Sequence, residues 1–310
     1  MQIAILDDYQ LSSQTMGLPE PHRLTRFTRP APDRQTLIDR LLPFDALILI
    51  RERTRLDAEL LAALPNLKVI SQTGRVSGHI DLAACERLGI TVLEGGGSPV
   101  APAELTWALI LAASKRLQPY HASLDRGEWQ WGAGASLGRT LAGLTLGIWG
   151  FGKIGQRVAR FGEALGMKVL VWGSDSSRQA AIAAGYSAAP DKGSLFARSD
   201  VLSLHLRLVE ATRGCVTFDE LAQMKPDGLL VNTSRAELIA PGALEAALRA
   251  GCPGAAALDV YEQEPLLDSP LFALPNVLCS PHLGYVTEQG MALYLQEALA
   301  NLAAWLEANP

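Results

Sequence analysis

Leu144-Thr145-Leu146-Gly147-Ile148-Trp149-Gly150-Phe151-Gly152-Lys153-Ile154-Gly155-Gln156-Arg157-Val158-Ala159 is the stretch that decides the fold. Its first six residues form a short apolar run, which reads as a buried strand. Gly150-x-Gly152-x-x-Gly155 follows, then a helical pattern from Ile154 to Leu165. On its own the glycine spacing is weak, but between a strand and a helix it carries physical meaning. Gly150 permits a tight turn, Gly152 lets the backbone approach a pyrophosphate, and Gly155 lets the helix pack closely on the strand. The free N–H groups at the start of such a helix favour phosphate charge. A second apolar run, Lys168 to Trp172, reads as the next parallel strand, so the expectation is a dinucleotide-binding unit with Phe151, Lys153 and Ile154 in its loop.

Outward from this stretch the chain alternates strands and helices. Before it, apolar runs at Gln2–Leu6, Ala46–Ile50, Lys68–Ser71 and Ile90–Leu93 alternate with helical patterns at Pro32–Leu42, Asp57–Ala63 and Asp81–Leu88. After it, further strands are expected at Val201–Leu204, Gly228–Asn232, Ala255–Leu258 and Val277–Cys279, with a terminal amphipathic helix at Glu288–Glu307. Such alternation predicts parallel sheets with helices on both faces, and ligands beyond the carboxyl ends of the strands. Glu94-Gly95-Gly96-Gly97-Ser98-Pro99 reads as a hinge, followed by a long apolar helix over Val100–Lys115 and a polar loop over Asp125–Arg139. Two doubly wound α/β domains are expected: 1–97 with 285–310, made discontinuous by the terminal helix, and 98–284.

Composition narrows the classes. The 310 residues are 48% hydrophobic and 19% charged, with a net charge of -5 and no basic block, which removes the electrostatic footprint of a nucleic-acid partner. No eighteen-residue apolar run occurs, and Met1 leads straight into the Ile3–Leu6 run, so neither a membrane span nor secretion is expected. The four cysteines lack metal-site spacing and read as reduced thiols of a cytoplasmic protein with no metal.

Three polar residues stand just past strand ends in the second unit: Arg235, Glu264 and His282. A cation to hold a carboxylate, a proton donor near neutral pH and an anion beside it suit reduction of a keto acid. With these residues in view, the chain resembles the D-isomer-specific 2-hydroxyacid dehydrogenase family. The resemblance rests on Trp149-Gly150-Phe151-Gly152-Lys153-Ile154-Gly155, Val231-Asn232-Thr233-Ser234-Arg235, Leu258-Asp259-Val260-Tyr261-Glu262-Gln263-Glu264-Pro265 and Pro281-His282-Leu283-Gly284-Tyr285-Val286-Thr287. Weaker matches are Gly78-His79-Ile80-Asp81, Ala103-Glu104-Leu105-Thr106 and Leu204-His205-Leu206.

The resemblance implies a flavodoxin-like substrate domain, a Rossmann domain and an active site in a cleft, in a homodimer. The reaction it implies is hydride transfer between NAD, or NADP, and a 2-keto or D-2-hydroxy acid. Arg235 would hold the substrate carboxylate, and His282 would protonate the carbonyl oxygen. Glu264 would pair with His282 and keep it protonated. Asp259 would hold the nicotinamide end, Thr233 and Gly284 would line its pocket, and Ser234, His205, Leu206 and Thr212 would complete the cofactor site. Backbone N–H groups of the 74–78 loop, Arg75, Val76 and Ser77 among them, would hold the substrate carboxylate. Tyr9 and Arg51, with Arg53, stand where a second polar group on the substrate would meet them, or are surface residues.

This chain departs from the pattern at Val76, Gly78, Ser98, Arg207 and Ser234-Arg235-Ala236. The first two changes leave the substrate open, and Arg207 meets either the cofactor or solvent. Gly173 replaces the acid expected at the ribose, leaving Asp175 to reach the ribose from the loop, or Ser174, Ser176 and Ser177 to donate to a phosphate with Arg178 as its countercharge. Two other readings stand beside the reductase. One is formate oxidation, which resembles a Gln–His pair where this chain has Glu264. The other is a dinucleotide-sensing binding protein similar to the C-terminal-binding corepressors.

Overall fold

The computed structural model describes residues 1–18, 20–134 and 137–309. The chain divides into two compact units, 1–98 with 286–310, and 99–285. The first unit begins with β1 (Gln2–Leu6), β2 (Arg23–Arg26), α1 (Arg34–Leu41), β3 (Ala46–Leu49), α2 (Ala58–Ala62), β4 (Val69–Gln72), α3 (Leu82–Leu88) and β5 (Thr91–Glu94). Its five strands are all parallel, in the order β2-β1-β3-β4-β5. β3 and β4 are buried along their whole length, as strands covered on both faces must be. Aspartates stop the chain from extending and start the helices: Asp33, Asp57 and Asp81 each accept a backbone N–H from the first turn of α1, α2 and α3.

The second unit runs α4 (Val100–Ser114), α5 (Leu117–Asp125), β6 (Thr145–Trp149), α6 (Lys153–Ala164), β7 (Lys168–Trp172), α7 (Asp175–Ala183), β8 (Ser187–Ala188), α8 (Lys192–Arg198), β9 (Val201–Leu204), α9 (Phe218–Leu221), β10 (Leu229–Asn232), α10 (Ala243–Ala250), β11 (Ala255–Leu258) and β12 (Val277–Cys279). Its seven parallel strands lie in the order β12-β11-β10-β9-β6-β7-β8. One apolar cluster, built on Phe196, Leu204, Leu221 and Leu244, covers one face. Another, built on Trp107, Ile110, Ile148 and Val158, covers the other. The apolar helix α4 finds its cover here, burying Ala103, Trp107 and Ile110 among the second cluster. The last helix, α11 (Glu288–Ala308), packs on β4 and β5 of the first unit, where the Ser71 hydroxyl donates to Ala298 O at 2.7 Å.

The structure corrects the expected layout in three places. The first sheet has a fifth strand, β2, whose Arg-Leu-Thr-Arg sequence has no apolar run; it is held by backbone pairing to β1 at the sheet edge. The second sheet gains the two-residue strand β8. The region expected as a polar loop over Asp125–Arg139 begins at the end of α5 and contains a 3-10 turn at Gln130–Ala133; residues 135 and 136 lie outside the described residues.

Candidate active site

The glycine loop leaves β6 and enters α6. Gly150 has φ +99, and a Cβ there would run into His205 O, so only glycine fits. A Cβ on Gly155 would collide with Gly150 O, which fixes how closely α6 approaches the strand. Gly152, by contrast, has nothing within 4 Å of a would-be Cβ. It is also the N-cap of α6, with no side-chain cap bond and no acid in the first turn. Open space, uncapped N–H groups and Lys153 at the first helical position fit a pyrophosphate. His205 N donates to Trp149 O at 2.8 Å, and Leu206 also lies against Gly150, so both flank the loop. Burial pulls the His205 imidazole down to about 4.

Three further strand ends of the same sheet carry the polar groups. Past β10, the buried Asn232 amide closes a turn: its Oδ1 accepts from Ser234 N (3.0 Å) and its Nδ2 donates to Arg235 O (2.8 Å). Ser234 Oγ donates to Leu204 O at 2.8 Å, and Arg235 Nη1 to Ser234 O at 2.6 Å. Thr106 Oγ1 donates to Pro102 O, which makes Thr233 the donor in the 2.8 Å bond between the two threonine hydroxyls. Past β11, Glu264 Oε1 accepts from Tyr261 N at 2.9 Å. Glu264 Oε2 stands 2.6 Å from His282 Nδ1, past β12. His282 is in the left-handed region at φ +51, and its ring meets Tyr285 edge-on at 5.4 Å. Strain of this kind persists where surrounding bonds over-determine it.

Asp259 supplies those bonds. Its Oδ1 accepts from Ser280 Oγ (2.6 Å) and Leu283 N (2.7 Å), and its Oδ2 from Gly284 N (2.9 Å). The residue is fully buried, and that burial lifts its carboxyl above the ordinary range despite these bonds. These bonds turn the carboxylate to the segment on both sides of His282. Asn232, Tyr261 and Ser280 had no assigned role from sequence. Asn232 and Tyr261 lie inside quoted motifs; their bonding partners are what a sequence does not display.

In the first unit several expected contacts are already spent. Val76 N donates to Glu94 Oε1 at 2.6 Å, and Arg75 pairs with Glu94 at 3.3 Å. Ser77 N reaches His79 Nδ1 at 3.4 Å. Arg51 pairs with Glu52 at 3.2 Å, donates to Thr73 O and lies over the Tyr294 ring. Arg53 stacks on the half-exposed Tyr9 at 4.4 Å and donates to Asp7 O at 2.6 Å. In the second unit, Thr212 Oγ1 closes its own turn on Arg207 O and Val209 O, and Arg207 is exposed.

Comparison with known proteins explains this grouping. The family profile described as D-isomer specific 2-hydroxyacid dehydrogenase, NAD binding domain, matches residues 107–284. A glyoxylate reductase of Aeropyrum pernix is 38% identical over 90% of this chain and 84% of its own length. The chain belongs to the D-isomer-specific 2-hydroxyacid dehydrogenase family. A D-3-phosphoglycerate dehydrogenase of Methanocaldococcus jannaschii is 35% identical over 83% of this chain, which spans about half (48%) of that longer protein. The crystal structure of a phosphoglycerate oxidoreductase from Vibrio cholerae superposes with a TM-score of 0.95 at 56% identity, covering 99% of both chains. Membership makes this chain an NAD-dependent oxidoreductase that moves hydride between a 2-keto acid and a D-2-hydroxy acid. The two all-parallel α/β units are the fold of the family.

Proposed function

We propose that this 2-hydroxyacid dehydrogenase works chiefly as a reductase of a small 2-keto acid, with Arg235, Glu264 and His282 as its catalytic groups. The 2.6 Å contact between Glu264 Oε2 and His282 Nδ1, on the sheet edge that also carries the glycine loop, supports this reading most directly. With Nδ1 committed to the carboxylate, Nε2 is the atom from which His282 gives its proton to the carbonyl oxygen. Glu264, held by Tyr261 N, sets the ring orientation and balances the charge of the doubly protonated imidazole. Arg235 grips the substrate carboxylate through parallel N–H bonds and turns the carbonyl carbon toward the cofactor. Gly150, Phe151, Gly152, Lys153 and Ile154 hold the pyrophosphate, and Thr233, Ser234, His205, Leu206 and Gly284 border the nicotinamide half. When bound, the nicotinamide supplies the hydride. Asp259 positions His282 through Ser280, Leu283 and Gly284 and stands at the nicotinamide end of the cofactor.

The relatives act, by name, on glyoxylate and on D-3-phosphoglycerate. For this chain a short keto acid with a second polar group is the favoured substrate: Arg51, Arg53 and Tyr9 stand at the carboxyl ends of the first sheet and would exchange bonds to Glu52, Thr73 and Asp7 for that group. The protein is further read as a cytoplasmic homodimer. Its four cysteines are free, and no helix among the described residues is long and apolar enough to cross a membrane. Exposed Trp129, Trp131 and Leu137 follow α5, whose Leu117 and Leu124 are also exposed, an apolar surface suited to a second copy. The test is initial rates with NADH over glyoxylate, pyruvate, hydroxypyruvate and its phosphate ester. Turnover of a substituted acid above glyoxylate is expected, and no turnover of any 2-keto acid would overturn the reductase reading.

A further inference from the structure

The turn after β7 lies against the glycine loop: Gly150 N donates to Trp172 O at 2.8 Å, and a Cβ on Gly173 would stand 3.7 Å from Gly150 Cα. In a dinucleotide-binding sheet this is where the adenosine ribose sits, and an acid there bonds the ribose and repels a 2′-phosphate. Gly173 supplies no acid. Its φ is +155, and a Cβ would come within 3.2 Å of Ser177 Cβ, so the backbone is shaped for glycine. The nearest charges in the sequence are Asp175 and Arg178, and they form an ion pair with each other. The Arg178 guanidinium is stacked over Trp172, the last residue of β7, 4.5 Å from the ring centroid, and is mostly covered. Asp175 is mostly exposed. Around them Ser174 Oγ, the N-cap of α7, accepts from Ser177 N and lies 2.9 Å from Ser176 Oγ and 3.2 Å from Ser177 Oγ.

We propose that Arg178 is an anchor for a 2′-phosphate that Asp175 holds neutralised, so that Asp175, and not the position at the strand end, sets the preference of this enzyme for NAD. Trp172 fixes the guanidinium at the strand end instead of letting it swing with the helix surface, and the serine hydroxyls supply further donors. A 2′-phosphate entering this turn gains Arg178 only by displacing a carboxylate of the same sign, so its net gain is small. This rests on the dinucleotide reading of the second unit, and NADH binding tests that reading separately.

The experiment is titration of the full-length protein with NADH and with NADPH, followed by quenching of tryptophan fluorescence, for wild type, Asp175→Asn, Arg178→Gln and the double variant. Asp175→Asn should raise the affinity for NADPH relative to NADH about tenfold, as expected for removing one like charge close to the phosphate. The gain should vanish in the double variant. The proposal is overturned if Asp175→Asn changes both cofactors equally, or if the gain survives Arg178→Gln. It also fails if Arg178→Gln weakens NADH as much as NADPH. Failure of wild type to bind NADH would overturn the dinucleotide reading as well. Melting temperatures of the variants separate a lost contact from a lost fold.

Discussion

His282 is where geometry and chemistry meet at the scale of one residue. Its backbone is left-handed, its Nδ1 is committed to Glu264, and only Nε2 is left to move a proton. His282→Ala should lower kcat by about 10²–10⁴-fold, the usual worth of a positioned general acid, with the NADH dissociation constant nearly unchanged. Full activity in that variant would remove His282 from the mechanism. Arg235 is a different kind of group, because the grip proposed for it needs two parallel N–H donors that a lysine cannot present. Arg235→Lys should therefore lose most of kcat/KM for keto acids while the tertiary fold, followed by near-UV circular dichroism, is kept. Near-wild-type efficiency would move the carboxylate elsewhere.

Among the elements, the segments after β10, β11 and β12 are tied to each other before any ligand arrives. Asn232 closes the turn that carries Arg235, Tyr261 N fixes Glu264, and Tyr261 OH donates to Ser280 O at 3.0 Å. Asp259 clamps Ser280, Leu283 and Gly284 around His282. Asp259→Asn keeps the size but replaces one acceptor oxygen by an NH₂ that faces a donor. We expect kcat to fall about tenfold or more, since one buried donor loses its partner and the loop shifts, and the pH profile of keto-acid reduction to move with it. An unchanged profile would limit Asp259 to stability.

His205, at the end of β9, makes a prediction about acid. Burial depresses its folded value to about 4 against 6.5 for the free group, so the unfolded chain binds the proton more readily. The stability it contributes is present above about 6.5 and lost as pH falls through about 4. The melting temperature should drop across that window, and His205→Gln should flatten this part of the drop; an identical slope in the variant would refute it.

For the whole molecule, the exposed tryptophans raise the question of assembly. Trp131 is 74% exposed and Leu137 84% exposed, which is costly to leave in water beside the further exposed leucines of α5. Light scattering of the wild type should give a dimer mass, and Trp131→Glu should shift it toward monomer. A monomeric wild type would leave this surface for another partner.

The dinucleotide fold was legible in sequence because its causes are local. Strand, glycine loop and helix follow one another within about thirty residues, and each glycine is demanded by a contact inside that unit, as Gly150 and Gly155 are. The Glu264–His282 contact was legible because a parallel sheet delivers the ends of its strands to one edge. β2 was not, because an edge strand of Arg-Leu-Thr-Arg is held by backbone bonds to β1 and leaves no apolar signature. Nor were the partners of Asp259, since nothing in the sequence shows that its carboxylate accepts from three donors of a segment more than twenty residues away. The same holds for Val76, whose N–H is spent on Glu94, and for Asp175 and Arg178, whose charges cancel in each other's company. Sequence by itself determined which residues are present at the strand ends and the alternation of strands and helices along the chain. Tertiary structure decided which of their donors and charges are still available, because that depends on partners brought close only by packing.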